Sequence, residues 1–429
     1  MPADDIQISQ WLGGKAAPVG VAQIDAAGVD AFGKVRTSEP ADIFDSQLEY
    51  DLAPLVWDTF VTGSASVVHS YAQAAAVLSV SGSASVALRQ PRGYIRYQPG
   101  KSQLINLTYE HQPSFDTLFR VGYYDDGDGF FLEHSGTAVS LVLRSSVSGV
   151  LVEQRIPQSE WNSDRFNGDA NERYNPSGES LDHSLAQHLV IDTQWLGVGR
   201  ARMGFYLNGQ IHYGHKFQGS NAGHGPFMRT ANLPVRYELR GLPGIVQART
   251  ALQICSAVHS EGGVSEERGT PFAASRGVSA IAVSARRPIL TLRPAATFNG
   301  HVNRELIIPT SVILETEDDA IYWELLHGAV VSGTVAFAPV DAYSGVEYDI
   351  SGSLVFGGHR VADGYIAIPG GGVAGETQAD VITGRMRIAL GIQGEHPTVE
   401  PTDNLVLVVT NLGAGSTATR ASINGTELR

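Results

Sequence analysis

The Asn208-Gly209 pair, with alternating apolar and polar residues on both sides, is the feature that most restricts what this chain can fold into. Asn-Gly tolerates the two positive φ angles of a type I′ turn, so the pattern predicts a β-hairpin with a two-residue turn. We expect Phe205 to share one face of the hairpin with Ile211 and Tyr213. Similar short strands, separated by Gly, Asn, Asp and Ser, recur along the chain and predict an all-β protein.

The length of 429 residues exceeds what one core usually holds, so more than one domain is expected. Dense strand signals between residues 56 and 285 predict an antiparallel β-sandwich. The Arg286-Arg287-Pro288 sequence marks the expected boundary, and residues 286–429 are predicted to form a second, smaller β-sandwich. Residues 377–382 are the candidate helix of this second domain.

Residues 1–55 differ from the rest because Gly and Pro separate isolated apolar residues, among them Trp11, Phe32 and Phe44. No regular period would bury these side chains within the segment, so we expect an extended N-terminal arm. An arm that docks on a neighbouring molecule and a segment wrapped over its own domain both agree with this pattern. In the first case Trp11, Phe32 and Phe44 are the candidate assembly residues.

The formal net charge is −14, from 30 Lys and Arg against 44 Asp and Glu. This charge repels phosphates and anionic lipid, so neither nucleic acid nor membrane insertion is expected. The N-terminus lacks the pattern of a signal peptide and no apolar run approaches about 18 residues, so synthesis in a cytoplasm is expected. Cys255 stands alone among apolar neighbours, which predicts a buried strand residue and no disulfide.

The segment between Glu160 and Ser184 is a long polar insertion that contains aromatic residues among Asn, Asp and Gly. Long loops on a β-sandwich often carry function. Aromatic rings can stack on sugar rings while Asn and Asp bind sugar hydroxyls, so Trp161, Phe166 and Tyr174 are candidate glycan contacts.

Two cofactor patterns are incomplete. Pro99-Gly-Lys-Ser102 ends like a phosphate-binding loop, but Ile95 stands where a glycine is required and a strand follows instead of a helix. Gly370, Gly372 and Gly375 match G-x-G-x-x-G, but the helix of a dinucleotide fold is not expected after them. No cofactor is therefore predicted.

Two groups of residues raise the question of a metal. His212 and His215 lie three positions apart on a predicted strand, so they would face opposite sides unless a bulge intervenes. Asp125, Asp126 and Asp128 suit calcium, but the segment is too short for a full cage and also fits a hairpin turn. We expect no metal site.

Paired carboxylates are the remaining catalytic pattern, since lectin-like glycanases place them as Glu-x-Asp-x-x-Glu on one strand. Glu49 and Asp51 begin this pattern, but Pro54 occupies the position of the final Glu. Glu347 and Asp349 begin it again, and there the final position is a glycine. No G-x-S-x-G nucleophile elbow is present. We therefore assign no catalytic residue and expect the chain not to be an enzyme.

Five segments together resemble structural proteins of tailed-bacteriophage virions: residues 31–40 (AFGKVRTSEP), 97–104 (YQPGKSQL), 119–125 (FRVGYYD), 195–199 (WLGVG) and 232–238 (NLPVRYE). The resemblance spans about residues 30–265. It implies a concanavalin-like, lectin-like jelly roll in the middle region and assigns no catalytic residue.

The resemblance implies a non-enzymatic virion component of the tail, fibre, baseplate or capsid surface, made in the host cytoplasm. Such a protein would bind other virion proteins through its arm and form a homo-oligomer, with a trimer suggested by the resemblance. The alternative is a carbohydrate-binding adhesin that recognises host surface glycans. A lectin-fold glycanase is a third hypothesis.

Overall fold

The computed structural model of the protein describes residues 8–12, 15–19, 40–169, 171–263, 269–367, 375–379, 388 and 403–429. Within these ranges the chain is nearly all antiparallel β-structure, which confirms the predicted fold class. Short 3₁₀ turns occur at Tyr71–Gln73 and Gln158–Glu160. None of the helical segments described is long and apolar enough to cross a membrane.

The chain begins with a separate two-stranded hairpin and continues into a large β-sandwich. The hairpin consists of β1 (Ile8–Leu12) and β2 (Lys15–Val19). The strands of the first sandwich are β3 (Ala41–Gln47), β4 (Trp57–Thr62), β5 (Ala65–Ser70), β6 (Ala75–Val80), β7 (Val86–Pro91), β8 (Gln103–Glu110), β9 (Thr117–Tyr124), β10 (Gly129–Ser135), β11 (Ala138–Ser145), β12 (Val152–Pro157), β13 (Gln187–Gln194), β14 (Arg200–Leu207), β15 (Gln210–Gln218), β16 (Val235–Gly241) and β17 (Arg249–Ser260).

Two sheets face each other in this sandwich. One has the order β12-β11-β10-β9-β16-β7-β4, and we call it the front sheet. The other, the back sheet, has the order β15-β14-β13-β8-β17-β6-β5, with β3 also paired to β17. Inward residues of both sheets, such as Ile105, Phe119 and Phe205, form one continuous apolar core. Alternation along each strand leaves the opposite residues on the outer faces of the sheets.

The second sandwich follows the first and includes the C-terminus. Its strands, and those of two small two-stranded sheets beside them, are β18 (Thr270–Ser275), β19 (Ile281–Val283), β20 (Arg287–Pro294), β21 (Thr297–Phe298), β22 (His301–Val302), β23 (Leu306–Thr316), β24 (Ile321–His327), β25 (Val330–Gly333), β26 (Ala338–Pro339), β27 (Val346–Asp349), β28 (Gly352–Phe356), β29 (His359–Ile366), β30 (Gly375–Ala379), β31 (Leu405–Asn411) and β32 (Thr417–Leu428). One sheet contains β18, β19, β32, β23 and β30, and the other has the order β26-β27-β20-β31-β24-β29. They enclose a separate apolar core.

The predicted domain boundary at residues 286–288 falls inside the second sandwich. β18 and β19 both pair with β32, which ends the chain, so residues 270–283 already belong to that sandwich. Arg287 and Pro288 begin β20. The local Arg-Arg-Pro sequence therefore starts a strand, and long-range pairing to the C-terminal strand places the boundary earlier. The candidate helix at 377–382 is wrong where it is described, because Gly375–Ala379 is a strand paired with β23.

The predicted arm is shorter than residues 1–55. Ala41–Gln47 pairs with β17 as an integral strand, and Phe44 packs edge-to-face on Trp57 with ring centroids 5.7 Å apart. Phe44 is therefore part of the chain's own sandwich. Trp11 lies in β1, and Phe32 lies outside the described residues. Docking through residues before 40 stays a prediction.

The Asn208-Gly209 hairpin is confirmed, with φ of 49° and 84° at the two turn residues. The predicted side-chain partners are wrong. A two-residue turn places residue 207 opposite residue 210, so Phe205 lies opposite His212 and Tyr206 lies opposite Ile211. Cys255 is also exposed rather than buried, because a register shift between Gln253 and Ser256 interrupts the alternation of β17.

Candidate functional site

The insertion at residues 160–184 is anchored by the two aromatic residues predicted to bind glycans. Trp161 and Phe166 are 0% and 1% exposed, and their rings meet edge-to-face at 6.0 Å. Both rings also contact Phe205 of β14. Neither ring offers an open face to a sugar. The physical reason is that a long polar loop needs apolar anchors to stay folded on the sandwich.

Tyr174, the third predicted glycan contact, is half-buried. The Arg165 guanidinium lies over its ring at 4.6 Å from the centroid, and Arg165 also pairs with Glu172 at 2.5 Å. Stacking with arginine covers one face of the Tyr174 ring. The inward placement of the aromatic residues of this loop was not visible in the sequence.

The loop forms hydrogen bonds with the backbone of β15, the edge strand of the back sheet, as a neighbouring strand would. The Asn162 side chain accepts a hydrogen bond from Lys216 N at 2.9 Å and donates one to Lys216 O at 3.0 Å. Ser163 N and Asp164 N both donate to Gly214 O. A Cβ at Gly214 would lie 2.7 Å from the Trp161 ring, so glycine is required for this close approach. The loop is thus held rigidly against β15.

An open groove of about 600 Å³ lies between this loop and strands β14 and β15. We call it the loop groove. Its lining is polar and includes an aromatic ring: Asn162, Ser163, Asp164, Pro176, Ser177, Arg202, Ile211, His212, Tyr213 and Lys216. The volume lies within the range of typical small-molecule sites. A groove with an aromatic residue and several hydrogen-bonding side chains suits a ligand that carries many hydroxyl groups.

Tyr213 and Arg202 are fixed in the groove by Asp192 of β13. The Tyr213 hydroxyl donates to Asp192 Oδ2 at 3.2 Å, and the Arg202 guanidinium forms an ion pair with the same oxygen. The Arg202 guanidinium also covers the Tyr213 ring at 4.2 Å. Burial and the Asp192 charge raise the pKa of Tyr213 to about 12, so the phenol stays protonated at neutral pH. These side chains are preorganised without a ligand.

His212 and His215 lie on the same side of β15, because a bulge intervenes between them. The register shifts between Met203 and Gly204 of β14, and this bulge sets both histidines opposite inward-facing residues of that strand. His215 Nδ1 is the acceptor for Asn162 N at 3.3 Å, and burial lowers the pKa of His215 to about 4. No cluster of three metal-binding side chains occurs among the described residues. His215 is buried against Phe217, whereas His212 lies in the lining of the loop groove.

The Asp125–Asp128 segment is a hydrogen-bonded turn. Asp125 Oδ1 accepts from Gly127 N and Asp128 N, each at 2.8 Å. Asp128 accepts from Ser146 and from Arg229 N. Asp125 also pairs with Arg304 of the second sandwich, so this turn joins the two sandwiches. Protein donors thus already occupy the carboxylates that calcium would need.

The carboxylates of the two incomplete catalytic patterns bind other groups of the protein. Asp51 Oδ1 accepts from Ala53 N at 2.7 Å within its own turn. Glu347 pairs with Arg293 at 2.9 Å, and Asp349 accepts backbone N–H groups from Ala336 and Gly352. These carboxylates therefore stabilise turns and strand pairs.

Sequence reasoning missed a charged network on the outer face of the front sheet. Arg120 of β9 lies directly opposite Glu133 of β10 and Glu238 of β16, with N–O distances of 2.8 Å and 3.7 Å. Arg155 and Arg240 bind the same two glutamates from the rim. Glu133 and Glu238 lie 13 and 118 positions after Arg120 in the chain, so no local pattern predicts the network. Only the sheet register brings these residues together.

The Glu238 carboxyl of this network does not have the raised pKa of a glycosidase general acid. Burial tends to raise the pKa of Glu238, but Arg240, Arg120 and Arg236 outweigh it and hold that pKa below its ordinary value. The Glu238 carboxylate is therefore ionised at neutral pH. A general acid of the glycosidase type requires a raised pKa instead.

Three neutral histidines form a second buried cluster. His111 and His134 approach at 3.0 Å between their Nδ1 atoms, and the His134 ring meets His183 edge-to-face at 5.2 Å. Burial lowers the pKa of His111 to about 3 and of His183 to about 4, and it lowers that of His134 as well. Each ring can be buried because it is uncharged at neutral pH.

We expect the free energy of unfolding to fall as the pH decreases below about 6.5, since the unfolded histidines bind protons there and the folded ones do not. Each histidine contributes a slope of at most about 1.4 kcal/mol per pH unit until its folded pKa is reached. Urea unfolding between pH 7 and 5 measures this slope. His183→Gln should lower the number of protons taken up on unfolding by about one, and the exposed His224→Gln is the matched control. Equal slopes for both variants and the unmodified protein would contradict the assignment.

No protein-family model matches the chain, and no curated protein matches its sequence. Solved structures that resemble it include the following three. A glycosyl hydrolase family protein from Mycobacterium fortuitum has a TM-score of 0.34 and 11% identity, over 51% of this chain and 99% of that one. A Bacillus licheniformis β-glucanase has a TM-score of 0.31 and 10% identity, over 51% and 98%. A legume lectin-like domain from Entamoeba histolytica has a TM-score of 0.29 and 7% identity, over 52% and 98%.

The protein is an all-β chain whose antiparallel sheets form β-sandwiches, as predicted. The glycosyl hydrolases among the similar structures contradict the expectation that the chain is not an enzyme, and we withdraw it. With identities of 7–11% and TM-scores below 0.5, this likeness assigns no role to a residue. None of the similar structures named above indicates a phage origin, so the virion location, the virion partners and the trimer stay predictions.

Proposed function

We propose that the protein binds carbohydrate and that the loop groove is its binding site. The observation that carries this proposal is an open groove of about 600 Å³ in which Tyr213 and Arg202 are already fixed to each other through Asp192 of β13. Sugars offer hydroxyl groups to such donors and acceptors and a C–H face to aromatic rings. Preorganised side chains lower the entropic cost of binding.

The polar rim of the groove supports the same ligand class. The Asn162 side chain is held at Lys216, and Asp164 accepts from Phe166 N at 3.0 Å and Ser177 N at 3.1 Å. These bonds make the rim rigid although it belongs to a loop. Rigid polar groups around an open groove favour a chain of sugar residues over a small apolar ligand.

The test is a titration of the full chain with a panel of oligosaccharides, followed by calorimetry on each one that binds. We expect Arg202→Ala to weaken binding about tenfold or more, because a charge-assisted hydrogen bond is lost. Tyr213→Phe keeps the ring and removes the bond to Asp192, so its effect should be smaller. Tyr71→Ala, at a tyrosine 80% exposed and outside the groove lining, is the matched control.

Binding that Arg202→Ala leaves unchanged would contradict the proposal, as would failure of the whole panel to bind at millimolar concentration. Thermal unfolding of each variant separates loss of the groove from loss of the fold. The same mixtures are analysed for shortened oligosaccharides. Cleavage that depends on the groove would extend the proposal from binding to catalysis.

A further inference from the structure

A second cavity, of about 320 Å³, lies between the two sandwiches. We call it the interdomain cleft. Arg229, Thr230 and Asn232 line it from the first sandwich. Phe298, His301, Arg304, Glu305 and Arg429 are among the lining residues from the second. The ion pair of Arg304 with Asp125, at 2.8 Å between Nε and Oδ2, holds the two sides together.

Glu305 is 5% exposed and lines this cleft. Its Oε1 accepts from Arg429 Nε at 2.7 Å, whereas its Oε2 has no N–H or O–H donor among the described residues. The neighbouring Glu427 accepts from Gly345 N at 3.0 Å and from Ser344. Two neighbouring carboxylates repel each other when both are ionised. Burial and contact with Glu427 raise the pKa of Glu305 to about 7, although Arg429 opposes this.

Three arginines line the cleft, and two of them, Arg304 and Arg429, are paired with carboxylates. Arg229 is exposed and forms no ion pair with the part of the chain that the structure describes. Arg429 lies over the Phe298 ring at 4.7 Å, which fixes its orientation. Among the described residues Arg229 is therefore the arginine of the cleft that is available to an anion, and arginine is the side chain best suited to carboxylates.

Amide and hydroxyl groups line the cleft beside these charges. Asn232 Oδ1 accepts from Tyr97 N at 2.9 Å, which leaves its NH₂ group as a donor. Asn299 and Thr230 lie in the same lining. The cleft volume corresponds to about ten water molecules of roughly 30 Å³ each, more than a lone oxyanion occupies.

We propose that the interdomain cleft binds a carboxylate-bearing sugar residue, a hexuronic acid, through Arg229 and Arg429 with Asn232 at its hydroxyls. This site is independent of the loop groove. Glu305 must be protonated for the anion to approach, so binding takes up a proton above neutral pH.

The test is titration of the full chain with glucuronate, with glucose and inorganic phosphate as comparison ligands, by calorimetry or NMR. Glucuronate should bind more tightly than both. Arg229→Ala should weaken glucuronate about tenfold or more, since a charge-assisted bond is lost. Tyr71→Ala, which lies outside the lining of both sites, should leave glucuronate binding unchanged. Loss of glucuronate binding in Arg202→Ala but not in Arg229→Ala would place the ligand in the loop groove and overturn this proposal alone.

The pH dependence tests the role of Glu305. Groups that face Glu305 or share the cleft with it are Glu427, Arg429, Arg304, Arg229 and His301. Between pH 6 and 8 glucuronate binding should weaken about tenfold, because protonated Glu305 becomes scarce. Glu305→Gln should nearly abolish that dependence, and His301→Gln should retain it. Absent glucuronate binding, equal affinity for phosphate, no effect of Arg229→Ala or an unchanged pH profile in Glu305→Gln would each overturn the proposal.

Discussion

Replacement of Trp161 by alanine should lower the free energy of unfolding by about 3–5 kcal/mol, the cost of removing a buried tryptophan. Trp161 is fully buried between Phe166 and Phe205, and its Nε1 donates to Ile156 O at 3.1 Å. The variant would leave both a cavity and an unsatisfied carbonyl. Urea denaturation measures the change, and we expect the groove to lose its rim as the loop detaches.

Tyr174→Ala is the matched control for this prediction. It also removes an aromatic ring of the same loop, but the Tyr174 ring is half-buried and packs on Arg165 rather than on the core. We expect a clearly smaller loss of stability. If Trp161→Ala weakened carbohydrate binding and left stability within about 1 kcal/mol, the core placement would be wrong and direct stacking would be favoured.

Replacement of Arg120 by alanine should destabilise the protein by about 3 kcal/mol or more, because it leaves charge buried on the front sheet. The side chains of Arg120, Glu133 and Glu238 are 11%, 3% and 2% exposed. Arg120 lies between the two glutamates and also covers the Phe131 ring at 5.2 Å. Without it, two buried carboxylates face each other across β9.

Arg155→Ala provides a matched control because Arg155 binds the same Glu133, at 2.7 Å, from a position 43% exposed. An exposed ion pair contributes about 1 kcal/mol or less. The cost of Arg120→Ala should also shrink as the pH approaches the pKa of ordinary carboxyl groups. The pKa of Glu238 is depressed in the folded protein despite its burial, mainly by Arg240 and Arg120, so its stabilisation is lost as the pH falls. Equal effects of the two variants at pH 7 would show that the network is not buried in solution.

The local patterns of the sequence predicted local structure well. The Asn208-Gly209 turn and the all-β class follow from backbone preferences and side-chain alternation within a few residues. Contacts between distant residues were predicted less well. The domain boundary lies earlier in the chain than predicted because β32 pairs with β18. The inward placement of Trp161 depends on a glycine at position 214 that lies beside it only after folding.

The sequence by itself determined the strand-and-turn pattern, the acidic charge and the loop that bounds the groove. Only the tertiary structure decided which polar residues meet. Arg202 and Tyr213 share Asp192, and Arg120 lies between Glu133 and Glu238, because the sheet register aligns strands that are far apart in the chain. The lining of the interdomain cleft likewise includes Arg229 of the first sandwich and Arg429 of the second. Register and domain packing minimise the free energy of the whole molecule, so no short window of sequence contains them.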